Sequence, residues 1–482
     1  MINKRAMYLL IVFTMLFVTL IGYITYIEIR YGEEYKSSEY NARNHLRDME
    51  VVRGSVYDRN MNMLAYSEEK NEKMLRVYPY NNLYSHVIGY VSHDYTNRTL
   101  LEAKYNSELL GGKGLNNVIN IGNQLKSERE KGNDLVLTID HNLQSVANDA
   151  MGGYRGAIVA MVPQSGEILA MISKPDYNPN PDVLSQNYES LSDSTLYARA
   201  FQVKYPPGST FKTVTTASII ENGMENETYD DKTGEFVIKS ADGNPKNDFR
   251  CRNEDAKYAY GITDLTKAYI KSSNVYYTYL ATLLSSKQLR STAEDFMFNK
   301  KIDFDMPVTK SHFQEGDMTE AERAISAIGQ GQTEATPLHM ALIASTIANN
   351  GVMPEPYIVS SIRSGGIATY SASQKDIGRI IPEDMALQIK DMMLGVVEEG
   401  TGTNAGIQGI QVCGKTGTSE NATTAKGGAN SGKTHALFIG FAPYENPQIA
   451  VCVVMEEAGF GGNLAAKAAR KVMESYLRNI GY

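Results

Sequence analysis

From Met7 to Ile27 the chain carries no charge and is almost continuously apolar, and no later segment repeats that pattern. The length matches one bilayer crossing. Lys4 and Arg5 precede it, so the positive-inside rule keeps residues 1–6 in the cytoplasm and sends the rest outward. The competing reading, a cleaved signal peptide, finds no small-x-small cleavage site in Gly22-Tyr23-Ile24-Thr25-Tyr26. The pattern therefore predicts an uncleaved, single-pass anchor over 7–27.

Glu28 to Asp48 is charge-rich and predicts a helical stalk. From Val51 to about Lys131 short apolar runs alternate with turn residues, the pattern of strands. Near Asn133 the texture changes. Leu135-Val136-Leu137 predicts a strand, and Asp140 an N-cap for a helix with Leu143, Val146, Ala147 and Ala150 on one face. Ala157 to Val162 and Ile168 to Ile172 predict a buried hairpin turning at Pro163-Gln164-Ser165-Gly166, followed by a long polar loop from Lys174 to Lys204. The uncharged run after Ser209 predicts a buried helix, and Thr336-Pro337 starts another that stops at Gly351. Strands are predicted over Gly409 to Thr418, His435 to Ala442 and Gln448 to Val454, with a closing helix from about Asn463 to Leu477. Ser419 to Lys433 is polar and predicts a mobile loop. Strands at both ends of residues 134–482 with helices between predict one α+β domain, on a β-rich, non-catalytic pedestal over 28–133.

Composition changes this picture little. Hydrophobic residues make up 42% and charged residues 21% of the 482, which argues against disorder. A net charge of -8, with no basic stripe, gives no attraction for nucleic acid. Three cysteines cannot form a disulfide framework. Cys452 reads as core and Cys251, between two arginines, as the exposed thiol. Cys413 shares a strand face with Lys415 and reads as a small buried residue, with a zinc site or reactive thiol as the alternative. No metal or cofactor is expected.

The candidate chemistry begins at Tyr205-Pro206-Pro207-Gly208-Ser209-Thr210-Phe211-Lys212. A rigid turn delivers Ser209 to a helix N-terminus, and Lys212 lies three residues on, on the same face, where an amine can serve as the serine's base. Two further motifs stand downstream: Ser272-Ser273-Asn274 and Lys415-Thr416-Gly417-Thr418. Each has decoys. Ser67-Glu68-Glu69-Lys70 mimics the first and reads as a solvated loop or helix face. Ser185-Gln186-Asn187 and Ser419-Glu420-Asn421 mimic the second, and Lys232-Thr233-Gly234, an acidic surface turn, mimics the third.

With these three motifs in this order, the chain resembles the active-serine penicillin-binding proteins, and within them the class B, monofunctional transpeptidases. Arg53-Gly54-Ser55-Val56-Tyr57-Asp58-Arg59 is similar to that family's N-terminal signature. Leu137 to Asp140 with Gln144, Gly329-Gln330-Gly331 with Thr336-Pro337, and His435 to Pro443 are similar to its catalytic domain. No polymerase module of the bifunctional type precedes that domain. The resemblance implies a β-lactamase-like domain, an antiparallel sheet flanked by helices. It also implies acyl transfer on D-Ala-D-Ala stem peptides of peptidoglycan, inhibition by β-lactams, and a D,D-carboxypeptidase side activity.

Under that resemblance Ser209 is the nucleophile and Lys212 its base. Ser272 relays a proton to the leaving amine, Asn274 holds Lys212 and the substrate amide, and Lys415 supplies positive charge. Thr416 and Thr418 bind the terminal carboxylate, Gly417 lets the substrate lie on the strand, and the N–H groups of Ser209 and Thr418 form an oxyanion hole. The implied partner is a membrane glycosyltransferase serving elongation, division or sporulation. A β-lactam-binding receptor or scaffold that does not turn over is the alternative, disfavoured because such receptors usually carry more spans and a signalling domain. A β-lactamase gains nothing from an anchor and pedestal. Met61, Ala198 and Leu437 depart from the usual pattern (glycine, asparagine and an aromatic), and Arg199 and Lys204 are candidate substrate contacts with surface charge as the alternative.

Overall fold

A computed structural model describes residues 4–37, 51–70, 73–92, 97–111, 129–240, 242–253, 259–419 and 434–482. Lys4–Ser37 forms one helix. Met7–Gly32 within it, with a mean hydropathy of 2.3, is long and apolar enough to cross a membrane. Thr14, Thr19 and Thr25 each donate their hydroxyl to the carbonyl four residues back, so these three hydroxyls are satisfied within the helix. The remainder of the expected stalk lies outside the described residues.

The next layer is a six-stranded sheet that takes strands from both sides of residue 133. Its order is Ile367–Ser371, Val359–Ser364, Asp134–Leu137, Val56–Tyr57, Met63–Lys70 and Lys73–Val77. Ser67 lies in this sheet, opposite Arg76, rather than in a loop or on a helix. The charges around it do not prevent a strand, because a hairpin edge needs only its backbone ladder and leaves alternate side chains in water. Beneath the sheet, Arg53 Nε and Arg76 Nε each donate to one oxygen of the buried Glu102 carboxylate at 2.7 Å. Burial works to raise this carboxyl, but the two guanidinium groups outweigh it and hold it below its usual range. Met61 has φ +66°, the left-handed conformation that glycine adopts without strain, which accounts for the usual residue at that turn.

The second sheet carries the site. Its order is Cys413–Ser419, His435–Ala442, Ile449–Met455, Gly156–Met161 and Ile168–Lys174, and every neighbouring pair is antiparallel. The carboxy-terminal helix Leu464–Asn479 and the helix His141–Met151 pack against each other and against this sheet, and Pro337–Ala348 packs with the opposite core. The predicted caps are present: Asp140 accepts from Leu143 N at 3.0 Å, and Thr336 from His339 N at 3.2 Å. The strand expected from Gly409 begins only at Cys413, because Ile407 and Ile410 pair with each other in a tight turn. The segment expected as a loop from Lys174 to Lys204 contains three short helices, Pro181–Asn187, Asp193–Leu196 and Arg199–Gln202. Apart from Ser419 itself, the expected mobile loop after the Cys413–Ser419 strand lies almost wholly outside the described residues.

Candidate active site

The serine segment is built by glycine. Gly208 takes φ +53°, and a Cβ there would lie 2.4 Å from Thr418 O, so the serine turn and the Cys413–Ser419 strand touch backbone to backbone. The Gly208 N–H donates to Gly329 O at 2.9 Å, so the Gly329-Gln330-Gly331 motif clamps the turn from behind. Gly208–Phe211 is a tight 3-10 turn, and the α-helix starts at Lys212 rather than at Ser209. Ser209 is 6% exposed at this junction.

The three motifs converge. Lys212 is fully buried, and its Nζ donates to Asn274 Oδ1 at 2.6 Å, to Ser272 O at 2.8 Å and, weakly, to Ser272 Oγ at 3.4 Å. Lys415, also fully buried, donates to Ser272 Oγ at 2.9 Å and to Thr416 O at 3.1 Å. Each amine also lies over an aromatic face: Lys212 is 5.3 Å from the Tyr277 ring centre and Lys415 is 5.7 Å from that of Tyr269. The two phenol hydroxyls bond to Thr216 (2.6 Å) and Thr213 (2.9 Å) on the helix that follows the Ser209 turn, which ties the rings to the element carrying Lys212. The tyrosines stand one helical turn to either side of the Ser272-Ser273-Asn274 junction, and no motif pointed to them.

On the Cys413–Ser419 strand, Thr416 Oγ1 bonds Thr401 Oγ1 at 2.6 Å. The space above Gly417 is already occupied: a Cβ would lie 2.8 Å from Thr210 Cγ2 and 2.9 Å from Pro207 O. Glycine is therefore required there by the serine segment itself, a reason that the resemblance did not supply. A separate cleft of about 940 Å³, lined by Arg98, Lys104, Tyr105, Tyr177 and Tyr197 among others, includes none of these side chains.

Other candidates resolve plainly. Cys251 is buried, not exposed: alternation along Phe249–Arg252 turns Arg250 and Arg252 outward and the thiol inward. Cys413 is buried in the core, and burial pushes its thiol up. It pairs with Phe441, whereas His435 pairs with Ser419 at the other end of the ladder, so the two do not form a zinc pair. Among the described residues no cluster of three His, Cys, Asp or Glu could hold a metal. Arg199 is buried in an ion pair with Glu456 at 2.8 Å, with Tyr205 Oη donating to the same oxygen at 2.8 Å. Burial works to raise the Glu456 carboxyl, but these bonds and the guanidinium charges outweigh it. Lys204 pairs with Glu334 at 2.5 Å. The decoy Lys232 has a side chain 78% exposed and pairs with Asp230.

A buried lysine three residues after a serine, a second buried lysine bonded to the same Ser272 hydroxyl, and the edge strand of an antiparallel sheet against the serine turn are the arrangement of an active-serine acyltransferase. Residues 156–474 match the penicillin-binding protein transpeptidase domain, and residues 53–135 the penicillin-binding protein A dimerisation domain. The chain belongs to the penicillin-binding protein transpeptidase family, in its class B branch. Among its relatives, the peptidoglycan D,D-transpeptidase PbpA of Mycolicibacterium smegmatis is 32% identical, over 86% of this chain and 87% of that one. The peptidoglycan D,D-transpeptidase MrdA of Acinetobacter baumannii is 31% identical, over 84% of this chain and 66% of that one. The ceftriaxone acyl-enzyme complex of penicillin-binding protein A from M. tuberculosis superposes with a TM-score of 0.82 at 29% identity, covering 90% of this chain and 99% of that one.

Proposed function

We propose that this chain is a membrane-anchored, serine-type peptidoglycan D,D-transpeptidase in which Ser209 forms the acyl-enzyme. The observation that carries the residue assignment is the meeting of Lys212, Lys415, Ser272 and Asn274 beside the Ser209 turn. A neutral amine has two hydrogens and one lone pair. Lys212 Nζ is held by Asn274 Oδ1 and Ser272 O, and in its neutral form its lone pair is the acceptor for the Ser209 proton.

Ser209 Oγ attacks the carbonyl of the penultimate D-Ala while its proton moves to Lys212. The oxyanion is received by the N–H groups of Ser209 and Thr418, where each such donor is typically worth about 3–4 kcal/mol. As the tetrahedral intermediate collapses, the C–N bond breaks. The proton passes through the Ser272 hydroxyl to the departing amine of the last D-Ala. An amine of a neighbouring stem peptide then attacks the ester, and Ser209 recovers its proton. Thr416 and Thr418 take the terminal carboxylate, with Lys415 supplying its countercharge. A β-lactam follows the first half of this path and stops at the ester.

Residues 1–6 are read as a cytoplasmic tail, 7–27 as the anchor, 28–133 as the pedestal and 134–482 as the catalytic domain. The substrate lies outside the membrane, which requires the catalytic domain there and agrees with Lys4 and Arg5 preceding the apolar helix. The cross-linked strands come from a polymerising enzyme, for which a membrane-embedded glycosyltransferase is the expected partner. The test combines fluorescent-penicillin labelling with cross-linking of lipid-linked precursor polymerised by such a partner. Both signals are expected. Labelling without cross-linking would replace the enzyme by a β-lactam receptor.

A further inference from the structure

Ser272 sits in the left-handed region, at φ +57°. Such a conformation is strained for a non-glycine residue and persists only where the surroundings hold it. The restraint lies on the residues that follow. The Ser273 N–H donates to Ala268 O at 2.8 Å, and the Ser273 hydroxyl accepts from Tyr276 N at 3.2 Å. The same hydroxyl donates to Asn253 Oδ1 at 3.1 Å, and that oxygen also accepts the Val275 N–H at 3.2 Å. The Asn253 amide is thereby oriented with its nitrogen on the far side, where Nδ2 donates to Asp231 Oδ2 at 2.8 Å. Asp231 is fixed in turn by the N–H groups of Gly234 at 2.7 Å and Tyr260 at 3.3 Å. Asp231 and Asn253 are 1% and 2% exposed. One residue back, Arg252 O accepts Asn274 Nδ2 at 2.9 Å, which points the other end of that amide at Lys212.

A short segment outside the three motifs thus grips Ser273, Asn274 and Val275 in succession. We propose that Asp231 and Asn253 are positioning residues for acylation. Their buried pair sets the left-handed turn at Ser272 and the rotation of Asn274, and through them the place of the Lys212 amine and the Ser272 hydroxyl. Neither side chain touches the reacting atoms. This inference rests on Ser209 being the acylated residue.

The hydrogen-bond chain has a direction, and that provides the test. Asn253→Asp sets two buried carboxylates face to face; Asp231→Asn sets two amides together and removes the charge that received Asn253. The double exchange restores one carboxylate and one amide. The carboxylate at 253 can accept the Ser273 hydroxyl and the Val275 N–H, and the amide at 231 can donate to it while accepting from Gly234; only the long 3.3 Å bond from Tyr260 N–H, which shares Asp231 Oδ2, is given up. Acylation by fluorescent penicillin is measured on the full chain in detergent from pH 5 to 9, per folded molecule, with the melting temperature recorded alongside.

Each single variant is expected to acylate about 10- to 100-fold more slowly, the scale of a catalytic group displaced by a fraction of an ångström to an ångström. In Asp231→Asn the acid limb should also lie at lower pH, because a loosened Asn274 oxygen and a lost carboxylate both favour the charged Lys212 amine less; Asn253→Asp, which adds a carboxylate nearby, is read by its rate alone. The double exchange should return the rate to within about 3-fold of the parent. Single variants with the parent's rate, or a folded double exchange no faster than its parents, would overturn the proposal. Ser273→Ala, which removes only the hydroxyl that reaches Asn253, covers the case in which the exchanges do not fold. It should slow acylation several-fold with the same shift of the limb, and parental behaviour overturns the proposal equally. Failure of the functional reading is distinguishable, since the parent itself would then not be acylated at Ser209.

Discussion

Lys212 and Lys415 reach the same oxygen: their Nζ atoms lie 3.4 and 2.9 Å from Ser272 Oγ. Two buried amines from distant parts of the chain are joined through one hydroxyl. That hydroxyl can pass a proton, and the charge on one amine disfavours charge on the other.

Removing Lys415 should therefore do more than weaken carboxylate binding. Lys415→Ala is expected to lower the second-order rate of penicillin acylation by about 10²-fold, comparable with the loss of one preorganised electrostatic group. Lys232→Ala, which removes a side chain 78% exposed and paired only near the surface, should leave the rate unchanged. Stopped-flow or gel-based labelling kinetics check both, and equal effects would show that the lysine-threonine-glycine motif had been assigned to the wrong segment.

Gly417 is held to glycine by the serine turn. A methyl group there would press on Thr210 and on Pro207 O, at 2.8 and 2.9 Å, so Gly417→Ala must displace the segment that carries Ser209. The expected result is a loss of about 10²-fold in acylation with the fold retained. Gly153→Ala, where nothing lies within 4 Å, is the matched control and should acylate normally. Circular dichroism and labelling kinetics on the two variants separate the outcomes.

His86 and His339 predict the pH dependence of stability. Each is buried, with Nε2–H donated to a carbonyl, Pro175 O at 3.0 Å and Phe296 O at 2.6 Å. Burial pushes each down from 6.5 to about 4. Both stay neutral in the folded chain while the unfolded chain takes up protons below about pH 6.5, so their contribution is complete above that pH and falls away toward pH 4. The loss is on the order of 1 kcal/mol per histidine per pH unit. Denaturant unfolding between pH 7 and 5 should show stability falling with pH, with a shallower slope in His339→Gln; a flat profile would contradict this reading.

Much of this was legible in the chain itself, for identifiable reasons. Asp140 and Thr336 announce their helices because capping is local chemistry, and the apolar runs around Ile158, Leu169 and Val451 read as buried strands. Of those three strands, the ones holding Ile158 and Val451 are central and the one holding Leu169 is the buried edge of the sheet. Ser209, Lys212, Ser272, Asn274 and Lys415 were nameable because each motif is short and its context separates it from its decoys. What the chain did not reveal depends on packing between distant segments. The flanking arginines suggested an exposed Cys251, but strand alternation turned it inward. The charges near Ser67 concealed a strand whose only requirement was a backbone partner, Lys73–Val77. Gly329 as a clamp, and Tyr269 and Tyr277 as faces under the two amines, look like ordinary helix and turn residues until the serine segment is set against them.

The central claim is that one hydroxyl, on Ser209, is acylated. The direct measurement is mass spectrometry of the protein after reaction with penicillin, followed by digestion to locate the adduct. A single penicilloyl group is expected on the peptide containing Ser209, absent from Ser209→Ala and undiminished in Ser67→Ala. An adduct on Ser67 or elsewhere, or one that survives Ser209→Ala, would contradict the account.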